Sequence, residues 1–291
     1  MWVFLATAFA VATALVHLLG VVVAAHAIMN ARSSSAAIAW GISLVTIPWV
    51  TLPLYFVFGR DRFQGYVQAL PAGILERTDP MVDAFLRALE SFRAEPSTRR
   101  EETQLVFERL ARVPLTRSNR AELLIDGQAT FSSIFSGIER AQHYVLVLFF
   151  IVHHDRVGQE LKECLIRKAR QGVRVYLVYD QLGSWSLSEK YLRELREAGV
   201  EVTAFRTTLG LRNRFQLNFR NHRKIVVVDG REAWVGGLNV GDDYLGRNPF
   251  YGRWRDTHLR LQGPAVQGVQ LVFQEDYYWA TGRLLDLQWQ P

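Results

Sequence analysis

The chain of 291 residues contains one cysteine, nine prolines and only four lysines. A lone Cys164 has no partner within the chain, which excludes a disulfide scaffold and agrees with a reducing compartment. Scarce proline and a hydrophobic share of 49% exclude collagen-like and disordered classes. Charge is missing where its absence says most. Arg32 is the only Asp, Glu, Lys or Arg before Gly59, although the whole chain carries +6.

That uncharged stretch holds two apolar runs. Trp2 to Ile28 is broken only by Thr7, Thr13, His17 and His26, and it exceeds the roughly 20 residues that a helix needs to cross a bilayer. Ala36 to Phe58 carries no charge, and its Pro48 and Pro53 are tolerable as kinks within a span. Trp40, Trp49 and Tyr55 suit the membrane interface. Ala25-His26-Ala27 has the small residues of a signal cleavage site, but no Lys or Arg precedes the first run and a second follows, so a two-helix hairpin over residues 1–58 fits better. His17 and His26 read as neutral side chains near a helix end or packed on the second helix. Arg60 and Arg62 after the second run, against Arg32 alone in the loop, put the rest of the chain in the cytoplasm.

Residues 59–114 read as linker and short helices. Asp79-Pro80 has the form of a cap and first-turn proline opening an amphipathic stretch to Phe92, and the polar run Arg93 to Gln104 is the candidate linker. From residue 115 onward strand and helix patterns alternate. Ala121 to Ile125, Tyr144 to Val152, Val173 to Tyr179 and Val200 to Phe205 are rich in strand formers. Ala129 to Ala141, Val157 to Gln171 and Ser188 to Ala198 have helical spacing, as does Pro264 to about Ala280. This predicts an α/β domain over residues 115–291, a mixed sheet flanked by helices. Asp155 is placed to cap the helix after it, and Cys164 reads as a small core residue.

The segment with the densest chemistry is Asn221-His222-Arg223-Lys224-Ile225-Val226-Val227-Val228-Asp229-Gly230, followed by Trp234-Val235-Gly236-Gly237-Leu238-Asn239. It reads as a hairpin turning at Asp229-Gly230. Alternation puts His222 and Lys224 on one side and Asp229 on the other, supporting them from behind. Lys224 stands out, because thirty arginines make arginine this chain's usual cation and a compact ammonium suits a single phosphate oxygen. Gly236 and Gly237 would let a phosphate come close, and Asn239 would donate an amide to it. A histidine can attack phosphorus directly through a covalent phosphohistidine, with Lys224 and Asn239 neutralising charge, so neither metal nor cofactor is required. His153-His154-Asp155 lacks a metal-ligand spacing, since adjacent histidines on a strand face opposite ways.

His-x-Lys, Asp five residues on, then Gly-Gly-x-Asn resembles the HKD motif of the phospholipase D superfamily. Phe58-Gly59-Arg60, Tyr179-Asp180-Gln181-Leu182-Gly183-Ser184, and Trp254-Arg255-Asp256-Thr257-His258 leading to Gly263-Pro264-Ala265-Val266 extend the likeness to bacterial cardiolipin synthases over nearly the whole chain. The resemblance implies a multi-pass protein of the bacterial inner membrane that converts two phosphatidylglycerols into cardiolipin and glycerol. His222 would be nucleophile or proton donor, Lys224 and Asn239 phosphate ligands, Asp229 a supporting carboxylate and Asp256 the group that orients the imidazole. Such proteins join two HKD motifs, yet Glu160, Ile166 and Ser188 stand two residues before the other lysines. A second motif is therefore expected from another copy of the chain or from a missing half. The alternatives are a membrane-tethered phosphodiesterase or nuclease using water, and an inactive half that binds anionic lipid. Arg206, Arg212, Arg214, Arg220, Arg223 and Lys224, interleaved with leucines and phenylalanines, suit an anionic membrane surface better than nucleic acid.

Overall fold

A computed structural model describes residues 1–31, 33–59, 83, 85–95, 101–111, 113–205 and 220–289. The chain divides into two compact units, residues 1–68 with 207–219, and residues 69–206 with 220–291.

In the first unit, α1 spans Trp2–Asn30 and is the one described helix long and apolar enough to cross a membrane. At about 1.5 Å per residue it exceeds a hydrocarbon core of roughly 30 Å. Most of its large side chains, among them Phe4, Phe9, Leu18 and Val22, are exposed, an apolar surface that water would not tolerate and lipid would. The second apolar run is not one helix. It forms α2 (Ser34–Thr46) and α3 (Pro48–Phe58), of 13 and 11 residues. A proline disfavours helical backbone in the residue before it, and Ile47 leaves the helix at φ −133° and ψ 56°. The Thr51 hydroxyl donates to the carbonyls of Ser43 and Ile47, at 2.9 and 2.8 Å, and so ties α3 to α2 across the break. Small residues bring the helices together: a Cβ on Gly20 would lie 2.4 Å from the Leu44 carbonyl oxygen. His26 meets the Tyr55 hydroxyl of α3 at 3.0 Å, as its expected packing on the second apolar run requires.

In the second unit residues 85–90 are helical, and α4 (Glu101–Ala111) follows, which takes Glu101 to Gln104 out of the expected linker. The Asp79-Pro80 cap lies outside the described residues. Then follow β1 (Arg120–Ile125), α5 (Asp126–Glu139), β2 (Tyr144–Phe149), α6 (Arg156–Arg170), β3 (Arg174–Asp180), α7 (Glu189–Glu197), β4 (Glu201–Phe205), β5 (Ile225–Val228), β6 (Glu232–Gly236), β7 (Thr257–Gln262) and α8 (Ala265–Thr281). These agree with the expected elements to within a few residues, except that β7 carried no strand expectation. The sheet order is β1-β7-β6-β5-β2-β3-β4, with β2, β3 and β4 parallel and the remainder antiparallel.

Alternation sorts the core. Val145, Val147, Phe149, Val175, Leu177, Val226 and Trp234 pack with residues of α5, α6 and α7 on one face. Tyr144 and Tyr176, of opposite parity, meet Gln270 and Tyr277 of α8 on the other. Being covered on both sides, β2 buries all six residues. Asp155 caps α6 by accepting from the Gly158 N–H at 3.0 Å. Cys164 is buried, and burial pushes its thiol up to about 12.

Candidate active site

Pairing of Leu148 with Ile225 sets the start of β5 beside the end of β2, while Gly236 pairs with His258 at the start of β7. The chemistry-bearing residues therefore gather at the carboxyl end of the parallel strands, where open α/β sheets place their ligand crevices.

His222 and Lys224 precede β5 rather than lying in it. The His222 ring stacks on Phe150, with centroids 4.0 Å apart and planes at 15°. The Lys224 ammonium lies 5.6 Å from the centre of the same ring and donates to the His222 carbonyl at 2.7 Å. The Phe150 ring thus contacts both groups. Desolvation lowers the Lys224 pKa, and the Asp256 carboxylate opposes that shift.

The Phe150 platform is itself fixed. Gly183 has no Cβ because one would sit 2.2 Å from the Phe150 carbonyl oxygen. The Ser184 hydroxyl donates to that oxygen at 3.2 Å and accepts from the Val152 N–H at 2.9 Å. At the end of β3 the buried Asp180 accepts from the N–H groups of Leu182, Gly183 and Asn221, tying this loop to the segment carrying His222.

Asp229 lies elsewhere. It stands five steps along the chain from Lys224, an extended path of about 16 Å at 3.3 Å per residue. Its carboxylate accepts three hydrogen bonds of 2.8 Å from the backbone N–H groups of Gln142, His143 and Tyr144. It stands at φ +53° in the turn to β6. The expectation that it supports His222 and Lys224 from behind is corrected to a fold-holding role, because β5 carries the turn away from them.

The two glycines also have a different reason from the expected one. A Cβ on Gly236 would lie 2.5 Å from the His258 ring, and one on Gly237 would lie 2.2 Å from an Asp256 carboxylate oxygen. They make room for these side chains. Asn239 is buried, accepts from the Ile151 N–H at 3.0 Å and donates to the Tyr244 hydroxyl at 3.2 Å. One N–H of its amide is left over, since the group carries two. Asp256 accepts from the Thr257 N–H at 2.7 Å. Among the described residues no hydrogen bond joins it to His222, so its expected orienting contact is not made in this state.

Sequence reasoning missed Phe150, which no pattern marks, and His258, which sat inside the quoted Asp256-Thr257-His258 stretch. His258 is buried and neither ring nitrogen has a hydrogen-bond partner. Burial drives its pKa down to about 4, Asp256 opposing and Lys224 assisting. The three groups therefore share one electrostatic environment. No cluster that could hold a metal ion occurs among the described residues, and residues 206–219 of the basic and apolar window lie outside them.

Residues 134–249 match the family profile described as "Cardiolipin synthase, PLD-like domain", and residues 18–60 match "Phospholipase_D-nuclease N-terminal". Proteins named cardiolipin synthase A from Pseudomonas putida (strain W619) and Pseudomonas entomophila (strain L48) are 46% and 45% identical over 283 residues. In both cases 93% of this chain is covered. The chain spans 57% of the length of these relatives. Among solved structures, NucT from Helicobacter pylori covers 56% of this chain and 98% of its own, with 13% identity and a TM-score of 0.44. A phosphatidylserine synthase from Haemophilus influenzae covers 72% of this chain and 54% of its own, with 15% identity and a TM-score of 0.41.

Proposed function

The chain belongs to the phospholipase D-like family of the cardiolipin synthases, and from that premise we propose that it transfers phosphatidyl groups between membrane phospholipids, with His222 as nucleophile. The convergence of His222 and Lys224 on the Phe150 ring carries this reading.

Phosphatidylglycerol is the donor. A ring nitrogen of His222 attacks phosphorus, the bond from phosphorus to the glycerol oxygen breaks, and that oxygen leaves with a proton from an acid opposite. The headgroup hydroxyl of a second phosphatidylglycerol then attacks the phosphohistidine, giving its proton back to that opposing group, so that the P–N bond breaks, cardiolipin forms and the imidazole is freed. Lys224 offsets charge on a non-bridging oxygen, and its partial desolvation strengthens that interaction. Asp256 holds the local field on Lys224, and Asn239 offers its remaining N–H. Gly236 and Gly237 act indirectly, by admitting His258 and Asp256. The 291 residues hold one His-x-Lys, and the opposing acid comes from the motif of a second copy or of a missing C-terminal half.

The exposed apolar surface of α1 supports a membrane arrangement. This helix crosses the bilayer, α2 and α3 make the return leg, and Arg60 and Arg62 hold the catalytic unit on the cytoplasmic face of a bacterial inner membrane.

The test is conversion of radiolabelled phosphatidylglycerol by the detergent-purified protein beside His222→Ala. Cardiolipin from the wild type and none from the variant is the expected result, and equal cardiolipin from both overturns the proposal. Phosphatidate in place of cardiolipin assigns water as the acceptor.

A further inference from the structure

His222, Arg223 and Lys224 are consecutive, and their side chains divide between two sides of the chain. His222 and Lys224 go to Phe150. Arg223 goes to α8, where its Nη1 donates to both carboxylate oxygens of Asp276, at 2.7 and 2.9 Å. The Asp276 side chain has no exposure at all. A carboxylate taken fully out of water is costly unless charge and hydrogen bonds compensate it closely, and the Arg223 pair is part of that compensation. The backbone beside it is tied as well, because the Arg223 N–H donates to the Asn221 side-chain oxygen at 3.1 Å.

We propose that Asp276 is a positioning residue for the nucleophile: acting through Arg223, it fixes the stretch of backbone from which His222 and Lys224 project. The proposal rests on the catalytic reading of His222 and deepens it. A buried ion pair is a poor way to gain stability, because apolar residues of similar volume often do as well or better. What it supplies is geometry. Direct coupling between a deeply placed anion and a residue next to the nucleophile transmits the position of α8 to the His222 ring.

The test uses the full chain in detergent with 13C-labelled histidine, the His222 resonance being assigned from its loss in His222→Ala. Stacking on Phe150 shifts the wild-type His222 ring signals upfield. In Asp276→Asn the shift collapses toward that of free histidine. Phosphatidyl transfer, measured with a second HKD motif supplied, falls about 10- to 100-fold in kcat with KM little changed, the scale set by misplacing a reacting group by about 1 Å. Arg223→Met with Asp276→Leu removes both charges and regains the thermal midpoint lost in either single variant, but regains neither the ring shift nor the turnover. Recovery of all three would reduce the pair to a stabilising contact and overturn the proposal, as would an Asp276→Asn protein with the wild-type shift. If the double variant does not fold, Asp276→Asn decides alone, with folding checked by near-ultraviolet circular dichroism. Should the wild type transfer nothing while the ring shift still answers to Asp276→Asn, the functional reading fails and the positioning stands.

Discussion

Replacing Asp229 separates two roles that the linear motif runs together. Its carboxylate receives three backbone N–H groups at 2.8 Å, and the residue itself is buried. Hydrogen bonds to a charged group contribute about 1.5 to 3 kcal/mol each, and buried donors left unpaired cost about 1 to 3 kcal/mol each. The three share one acceptor and do not add fully. A loss of about 4 kcal/mol is expected for Asp229→Ala, of which about 1 kcal/mol comes from placing alanine in left-handed backbone. Asp229→Asn tolerates that backbone and keeps an oxygen for the His143 and Tyr144 N–H groups. It turns an NH2 toward Gln142, and the loss is about 2 kcal/mol on the same scale. Urea unfolding of the full chain measures both, with phosphatidyl transfer assayed below the transition. The expected asparagine variant is less stable yet turns over within about threefold of wild type, since Asp229 lies about 16 Å of chain from Lys224. A variant of native stability that has lost transfer would place Asp229 at the phosphorus chemistry and refute this account.

Acid should weaken the second unit through His258. Its pKa is about 4 when folded against an ordinary 6.5, so the unfolded chain takes up a proton that the folded one refuses between those values. Stability is then highest above pH 6.5 and falls by about 3 kcal/mol on acidification to pH 4, at 1.36 kcal/mol per pKa unit. Chemical denaturation across that range checks it, and an unchanged slope in His258→Phe would exclude this histidine as the cause. Gly236→Ala puts a methyl 2.5 Å from both the His258 ring and the Thr257 carbonyl oxygen. Overpacking of this kind costs about 1 to 3 kcal/mol, to be read as a lowered denaturation midpoint with loss of transfer, and a variant with native midpoint and activity would count against the tight fit.

The reach of local pattern shows in where it stopped. Runs of β-branched residues located β2, β3 and β5, and helical spacing located α6 and α7, with a capping aspartate before α6. The strand β7 escaped because Thr257 to Gln262 mixes His258 and Arg260 with leucines, and its pairing with β1 and β6 is non-local. The break at Ile47 was written in Pro48, but whether a proline kinks or interrupts a helix depends on partners such as Thr51.

The sequence alone determined the apolar character of the first 58 residues, the alternation of strands and helices after residue 115, and the pairing of His222 with Lys224, because each is a relation between near neighbours. Tertiary structure decided what those residues face. The antiparallel register of β5 on β2 delivered Phe150 to His222, and the register of β7 on β6 set His258 and Asp256 against the two glycines. Chain reversal at residue 229 moved the motif's aspartate to the far end of its strand. Period and spacing are properties of one segment, whereas a contact across strands is set by register, and register is chosen by the packing of the whole sheet.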